Sequence, residues 1–115
     1  MTSVVYKIVP ESLWQEARQN GAFHGAPVDL RDGFIHFSTV GQMRETARLH
    51  FAGAEGLLLV AVNVAALGEA LIFEASRGGD LFPHLYGPLP LSAVLWEKPL
   101  PVGADGLHVF PKDAQ

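Results

Sequence analysis

One segment constrains the fold more than any other. Residues 57–62 form an unbroken apolar run, Leu-Leu-Leu-Val-Ala-Val. A strand with one face in water alternates apolar and polar side chains, so this run predicts a central strand that is buried on both faces. At six residues it is far shorter than the roughly 20 residues of a membrane-spanning helix. The segment therefore indicates the middle of a β-sheet.

The composition is typical of one folded domain over residues 1–115, with 49% hydrophobic and 17% charged residues. The net charge of −4 and the lack of any Lys/Arg run disfavour nucleic-acid binding, which requires a basic surface. The absence of cysteine excludes disulfides and thiolate metal sites. The first residues lack a basic stretch followed by a long apolar one, so they do not resemble a signal peptide and we expect a cytoplasmic protein without a membrane segment.

The remaining pattern predicts an α+β fold with about two helices and a small mixed β-sheet. A first helix is expected after Pro10, where Leu13, Trp14 and Ala17 recur at helical spacing and Asn20-Gly21 supplies a stop. Residues 24–33 carry Gly, Pro and two Asp and predict a long loop. The expected strands cover residues 4–9, 34–38, 57–62, 70–75, 93–98 and 107–110.

The sharpest local signal is the junction of a strand with a helix at residues 34–42. Strand alternation places His36 and Ser38 on the same face, just before the helix. Thr39 and Gln42 match a capping box, which predicts a helix over residues 40–50. A helix N-terminus favours a phosphate or carboxylate, so His36 is a candidate catalytic residue, and Ser38, Thr39 and Gln42 are candidate ligand-binding residues. The alternative is that Ser38 and Thr39 only cap the helix and His36 is a hydrogen-bonded interior residue.

A second candidate segment spans residues 78–88, Gly-Gly-Asp-Leu-Phe-Pro-His-Leu-Tyr-Gly-Pro. Its prolines exclude a long helix and favour an extended, irregular path. In such a path His84 and Tyr86 project to the same side. Histidine side chains titrate near neutral pH and a tyrosine ring can stack on a base, so both are candidate catalytic residues. The alternative is a structural crossing in which the aromatic residues fill the core and His84 bonds a backbone carbonyl.

Other charged residues give weaker signals. Glu74 lies on a predicted strand and is a candidate general base, as is Glu97, although an exposed or ion-paired role is the default for each. Three arginines lie near candidate loops, and each could bind a phosphate, although an exposed surface role is the default: Arg31, Arg44 and Arg77. None of the five histidines is paired at zinc-helix spacing, so no metal ligand is predicted, and a site formed by His24, His36 and His84 in space stays a minor alternative.

Three segments and one further residue together resemble the bacterial family known as domain of unknown function 952. They are Tyr6-Lys7-Ile8, Asp32-Gly33-Phe34-Ile35-His36-Phe37-Ser38-Thr39, Gln42, and Phe82-Pro83-His84-Leu85-Tyr86-Gly87. That family has been grouped with the ADP-ribosyltransferase-like superfamily, which also holds RNA 2′-phosphotransferases.

The resemblance implies a split β-sheet whose cleft binds NAD or an ADP-ribosylated intermediate. It implies that His36, with Ser38 or Thr39, contacts the ribose and nicotinamide, and that Tyr86 is the stacking aromatic. The superfamily's Glu is matched by no motif here, and Glu74 is a candidate by position only. A clear set of phosphate-binding arginines is also absent, which leaves transferase activity open.

Four hypotheses follow for the function. The first is an enzyme, with a transferase as the class that the resemblance implies, that acts on NAD, ADP-ribose or a related ribose-phosphate ligand. The residues indicate no certain cofactor, and the resemblance implies NAD as a substrate or ligand. The second is a non-catalytic module that binds a small anion or nucleotide. The third is a structural or partner-binding domain, which predicts no concave polar pocket. The fourth is a metal-dependent hydrolase.

Overall fold

The computed structural model describes residues 2–114, apart from the side chain of Arg77. Its architecture is α+β, with three α-helices and three small sheets in the described residues. In chain order the elements are β1 (Val4–Pro10), α1 (Glu11–Asn20), β2 (Ala22–Phe23), α2 (Pro27–Asp32), β3 (Ile35–His36), α3 (Met43–His50), β4 (Leu57–Asn63), β5 (Leu71–Ala75), β6 (Leu81–Leu85), β7 (Leu89–Pro90) and β8 (Val94–Pro99). Single 3₁₀ turns cover Val64–Ala66, Gly68–Ala70, Arg77–Gly79 and Leu91–Ala93.

The apolar run forms β4, the central strand of the sheet β1-β4-β8, as its pattern predicts. Its side chains alternate between two hydrophobic clusters. Val60 packs with Trp14 of α1 on one face, whereas Leu59 packs with Met43 of α3 on the other. Helices therefore cover both faces of the strand, which explains why it has no polar alternation.

The sheet β3-β6-β5 carries the histidines predicted for the site. In its β3–β6 pair Ile35 lies opposite Leu85 and His36 lies opposite His84. Ile35 and Leu85 point into the first hydrophobic cluster, so the two histidines project from the other face. The predicted extended path after residue 80 is correct, and it forms most of β6. Every strand pairing in the described residues is antiparallel, so the predicted mixed sheet is wrong.

The two larger sheets meet at the edge of β1. Tyr6 and Ser38 exchange backbone hydrogen bonds of 2.8 Å in both directions. The next residue towards β3, Phe37, donates its N–H to the carbonyl of Pro83 in β6 at 2.9 Å. This short segment joins β1 to β6 and places the histidine face of the second sheet beside the first sheet.

Helix α1 agrees with its predicted limits, and helix α3 begins later than predicted. Gly21 follows α1 with a φ of 80°, the left-handed conformation that glycine adopts readily. Helix α3 begins at Met43 because residues 39–42 form a turn, and only half of the predicted capping box exists. Gln42 Oε1 accepts the N–H of Thr39 at 3.0 Å. The reciprocal hydrogen bond, in which the Thr39 hydroxyl accepts a backbone N–H, is absent from the described residues.

Two other local predictions are wrong. The supposed loop at residues 24–33 contains the helix α2, which has Pro27 at its first position. Its third residue, Asp29, accepts the N–H of Ala26 at 2.8 Å, so a buried carboxylate stabilises the start of the helix. The predicted strand at residues 107–110 is reduced to one bridge between Val102 and His108.

Candidate functional site

A pocket of about 530 Å³ lies where β1 faces the histidine side of the second sheet. Strand β1 contributes Lys7, the segment after α2 contributes His36 and Ser38, and β6 contributes His84. The other lining residues come from the same elements, from α2 and α3, and from the turn after β5: Tyr6, Ile8, Val28, Arg31, Asp32, Phe37, Thr46, His50, Phe51, Ser76 and Phe82.

The structure brings some of the sequence-predicted residues together at this pocket and leaves others outside. His36, Ser38 and His84 line it, whereas Thr39, Gln42 and Tyr86 do not. Ser38 Oγ lies 3.0 Å from Thr46 Oγ1, the hydroxyl of a neighbouring lining residue. Gln42 is occupied elsewhere, because its Nε2 donates to the carbonyl of Leu81 at 2.7 Å and so joins the start of α3 to β6.

A buried carboxylate, Asp29, organises one side of the pocket. Lys7 Nζ lies 3.0 Å from each of its two oxygens. Oδ1 also accepts the backbone N–H of His36 at 3.1 Å and lies 2.7 Å from His36 Nδ1. Burial alone would raise the pKa of Asp29, but the hydrogen bond from His36, the charge of Lys7 and two backbone N–H groups lower it to about 2. Asp29 is therefore ionised at neutral pH and holds Lys7 and His36 in fixed positions.

His36 lies between two carboxylates. Its Nδ1 faces Asp29 and its Nε2 lies 2.9 Å from Asp32 Oδ2. Both nitrogens donate only when the ring carries two protons. The pKa of Asp32 is lowered, first by a hydrogen bond from Arg31 and then by the charges of Arg31 and His36. The two contacts fix the orientation of the His36 ring at the rim of the pocket.

His84 is oriented by a second carboxylate. Its Nδ1 lies 2.7 Å from Glu74 Oε1, and the Tyr86 hydroxyl donates to the same oxygen at 2.6 Å. These two hydrogen bonds, that of Tyr86 first, lower the pKa of Glu74, and Glu74 in turn raises the pKa of Tyr86. Phe34 stacks on the buried His84 ring with a centroid distance of 4.0 Å. With Nδ1 held by Glu74, Nε2 is the ring nitrogen of His84 that remains for a ligand.

The two carboxylate–histidine pairs form one unit. The rings of His36 and His84 lie 5.5 Å apart between centroids and at 70° to each other. An imidazole whose Nδ1 bonds a carboxylate has a fixed orientation and tautomer, which is what a general acid or base needs. In His84 this leaves Nε2 for a ligand atom, whereas both ring nitrogens of His36 face carboxylates.

Four residues at the site were missed by the sequence analysis: Lys7, Asp29, Asp32 and Phe34. Lys7 had a detectable signal, because it is the single charge in the apolar strand at residues 4–9. A weaker signal was the spacing of three and four residues between Asp29, Asp32 and His36, which is helical spacing. Nothing in the sequence shows that Gly25 lies against Asp29, where an added Cβ would come within 2.9 Å of the Asp29 Cβ.

The remaining sequence candidates lie elsewhere. Glu97 accepts hydrogen bonds from Trp14 Nε1 and Arg18, so its default ion-paired role is correct. Arg44 lies over the ring of Phe110, away from this pocket, and the side chain of Arg77 lies outside the described residues. Among the arginine side chains that the structure describes, Arg31 lines the pocket, and it is paired with Asp32 at 3.0 Å.

The described residues also bear on metal-binding and membrane-spanning classes of protein. Residues 2–114 contain no group of three or more His, Cys, Asp or Glu side chains placed to hold a metal ion. Over the same part of the chain, no helix combines the length and the apolar character that a membrane crossing requires.

The site can be compared with known proteins. A family described as a protein of unknown function (DUF952) matches residues 8–97. A crystal structure of protein CC0527 from Caulobacter crescentus is similar, with 48% sequence identity and a TM-score of 0.89 over 93% of this chain and 94% of that one. A solution NMR structure of CC0527 is also similar, with 49% identity and a TM-score of 0.82 over 90% of each chain. No curated protein matches the chain.

Proposed function

The chain belongs to the DUF952 family of proteins of unknown function, and from the site itself we propose an acid–base active site for a ribose-phosphate ligand. NAD and ADP-ribose are the first ligands to test. They are the ligands implied by the resemblance of the His36 and His84 segments to the ADP-ribosyltransferase-like superfamily.

One observation carries the proposal. His36 and His84 lie directly opposite each other in the β3–β6 pair, and each has its Nδ1 2.7 Å from a carboxylate oxygen inside or beside the same pocket. A structural histidine needs only one hydrogen-bond partner and no access to a cavity. Two oriented histidines that share a cavity are the arrangement expected for proton transfer to and from a ligand.

The size and charge of the pocket support a ligand of this class. Its volume of about 530 Å³ lies within the range of roughly 300–1,000 Å³ that is usual for small-molecule sites. The charges of Arg31 and Lys7 are balanced by Asp32 and Asp29. Lys7 and Arg31 nevertheless place two cationic groups at the pocket, which favours a phosphate group over an uncharged ligand.

The proposal gives each residue a role. His84 transfers a proton through Nε2, and His36 donates its Nε2–H to a ribose hydroxyl or a phosphate oxygen that takes the place of Asp32. Ser38 supplies a hydroxyl contact at the base of the pocket. Tyr86 and Glu74 act as positioning residues, because they hold His84 and do not line the cavity. This differs from the stacking role that the resemblance implies for Tyr86.

Product analysis tests the proposal. The protein is incubated with NAD and with ADP-ribose, and the recovered compounds are then separated and identified by mass spectrometry. We expect a product with wild-type protein, and a loss of about 100-fold or more in rate for His84→Gln. His24→Gln is the matched control, because His24 is exposed and does not line the pocket.

The other hypotheses predict different results. A non-catalytic binding module gives saturable binding with the ligand recovered unchanged, and His84→Gln then leaves the affinity largely intact. A partner-binding domain gives neither binding nor product, and a concave pocket lined by two histidines argues against it. Recovery of unchanged ligand from the wild-type protein would remove the enzymatic proposal for the ligands tested.

A further inference from the structure

Lys7 is a charged residue in the interior of β1, and the acid–base scheme above leaves it without a role. It is 6% exposed and lines the pocket. Val5 and Val9, which share the face of Lys7 in the strand, belong to a hydrophobic cluster, so an apolar residue would satisfy the strand at this position. Replacing a buried ion pair by apolar residues of similar volume is often neutral or stabilising, so stability alone does not account for Lys7.

The hydrogen bonding of Lys7 is incomplete. A lysine ammonium has three N–H donors. Its Nζ lies 3.0 Å from each oxygen of Asp29, and these contacts use at most two of the three donors. No other partner of Nζ exists among residues 2–114 outside the Arg77 side chain. A donor buried in the protein without an acceptor is costly, and Lys7 lines the pocket, where a ligand can supply that acceptor.

We propose that Lys7 anchors the ligand, and that its third N–H donates to a phosphate oxygen at the base of the pocket. This inference rests on the proposed function, because it places the phosphate group of the ribose-phosphate ligand. Ser38 lines the same region, and its backbone is hydrogen-bonded to Tyr6, the neighbour of Lys7 in β1. The phosphate thus meets an ammonium and a hydroxyl on one side and the histidines on the other.

The electrostatics of Lys7 agree with an anionic ligand. Burial lowers the pKa of Lys7, and the charge and hydrogen bond of Asp29 oppose that effect only in part. A bound phosphate adds a second negative charge and stabilises the ammonium. Binding is therefore expected to raise the pKa of Lys7, and by linkage the affinity falls as the pH rises through the pKa of the ammonium.

The direct test observes the ammonium itself. The Nζ signals of the three lysines are recorded by NMR during titration with inorganic phosphate and then with ADP-ribose. Lys98 and Lys112 serve as internal controls; Lys98 is more exposed and forms an ion pair with Asp113. We expect a saturable shift of the Lys7 Nζ signal, a higher Lys7 pKa in the bound state, and little change at the other two lysines.

Two other results would overturn the inference. If backbone signals of His36 and His84 shift while Lys7 Nζ does not, Lys7 is only the structural partner of Asp29, and the proposed function survives. If neither ligand shifts any of these signals, the anchoring role and the proposed ligand class both fail.

A variant comparison provides an independent measurement. Lys7→Met alone leaves Asp29 buried without its cation, so the test compares Lys7→Met/Asp29→Asn with Asp29→Asn, both of which alter His36 equally. Circular dichroism establishes that both are folded. We expect the double variant to bind ADP-ribose about 10-fold to 100-fold more weakly than the single one, the loss of one charge-assisted hydrogen bond. Equal affinities would contradict the anchoring role.

Discussion

The rings of His36 and His84 face each other across one antiparallel strand pair, with 5.5 Å between their centroids. Their environments differ. His36 lies at the partly exposed rim, with a carboxylate at each ring nitrogen, whereas His84 is buried with a carboxylate at Nδ1 alone. The pair is therefore asymmetric, as expected when one ring acts mainly as a donor and the other exchanges a proton.

The hydrogen bond between Tyr86 and Glu74 gives a prediction about ionisation. Glu74 raises the pKa of Tyr86 above its ordinary value of 10.0, because the carboxylate accepts the phenol hydrogen bond and repels phenolate. Glu74→Gln removes the charge, so the pKa of Tyr86 should fall back towards 10.0. The measurement is an ultraviolet absorbance titration of tyrosinate.

The chain has two tyrosines, so the signal of Tyr86 is identified by its absence in Tyr86→Phe. Glu97→Gln is the matched control, because Glu97 accepts its hydrogen bonds from Trp14 and Arg18. A Tyr86 titration that is the same in Glu74→Gln and wild-type protein would contradict the described geometry.

Asp29 predicts how stability depends on acid pH. Its pKa falls from 3.8 to about 2 on folding, so its ionised form stabilises the folded protein above pH 3.8. That contribution, about 2 kcal/mol, is lost as the pH falls through 2. Urea unfolding of wild-type protein and Asp29→Asn should therefore give stability curves that converge over this range. Other carboxylates contribute equally to both proteins.

At neutral pH the same variant should be less stable by roughly 3–5 kcal/mol, because Lys7 is left as a buried cation without its partner. A difference between the two proteins that does not change between pH 4 and pH 2 would show that Asp29 is not ionised in the way the structure indicates.

The sequence predicted the central strand and the histidine face because both depend on local periodicity. The run at residues 57–62 has no alternation, and His36 and Ser38 share a face for any extended backbone. The Asp29 contacts could not be predicted in this way. They depend on tertiary packing that brings β1 against α2, and the helix α2 is too short, at six residues, to show a clear period.

The capping box shows the limit of a local motif. Thr39 and Gln42 match the pattern, but the Gln42 amide also bonds Leu81 in β6, and that tertiary contact accompanies a turn in place of the first helical turn. A ligand role was predicted for both residues from the assumed helix start. Because α3 begins at Met43, neither residue presents the predicted anion site to the pocket.

Substitution of Gln42 should therefore change the stability of the protein and leave its ligand affinity unchanged. Gln42→Ala removes the acceptor of the Thr39 N–H and the donor to Leu81, and should lower the free energy of unfolding by about 1–2 kcal/mol. The affinity for ADP-ribose should not change. Gln15→Ala, at an exposed position of α1, is the matched control and should have little effect on either quantity. A loss of affinity in Gln42→Ala would show that Gln42 contributes to ligand binding.

The central claim is that His36 and His84 share one ligand pocket, and the ring signals of the five histidines test it most directly. These signals are followed by NMR as ADP-ribose is added. The account predicts that the rings of His36 and His84 shift together with one binding curve while His24 and His108, which do not line the pocket, stay unchanged. Saturable binding that leaves both His36 and His84 unshifted would contradict it.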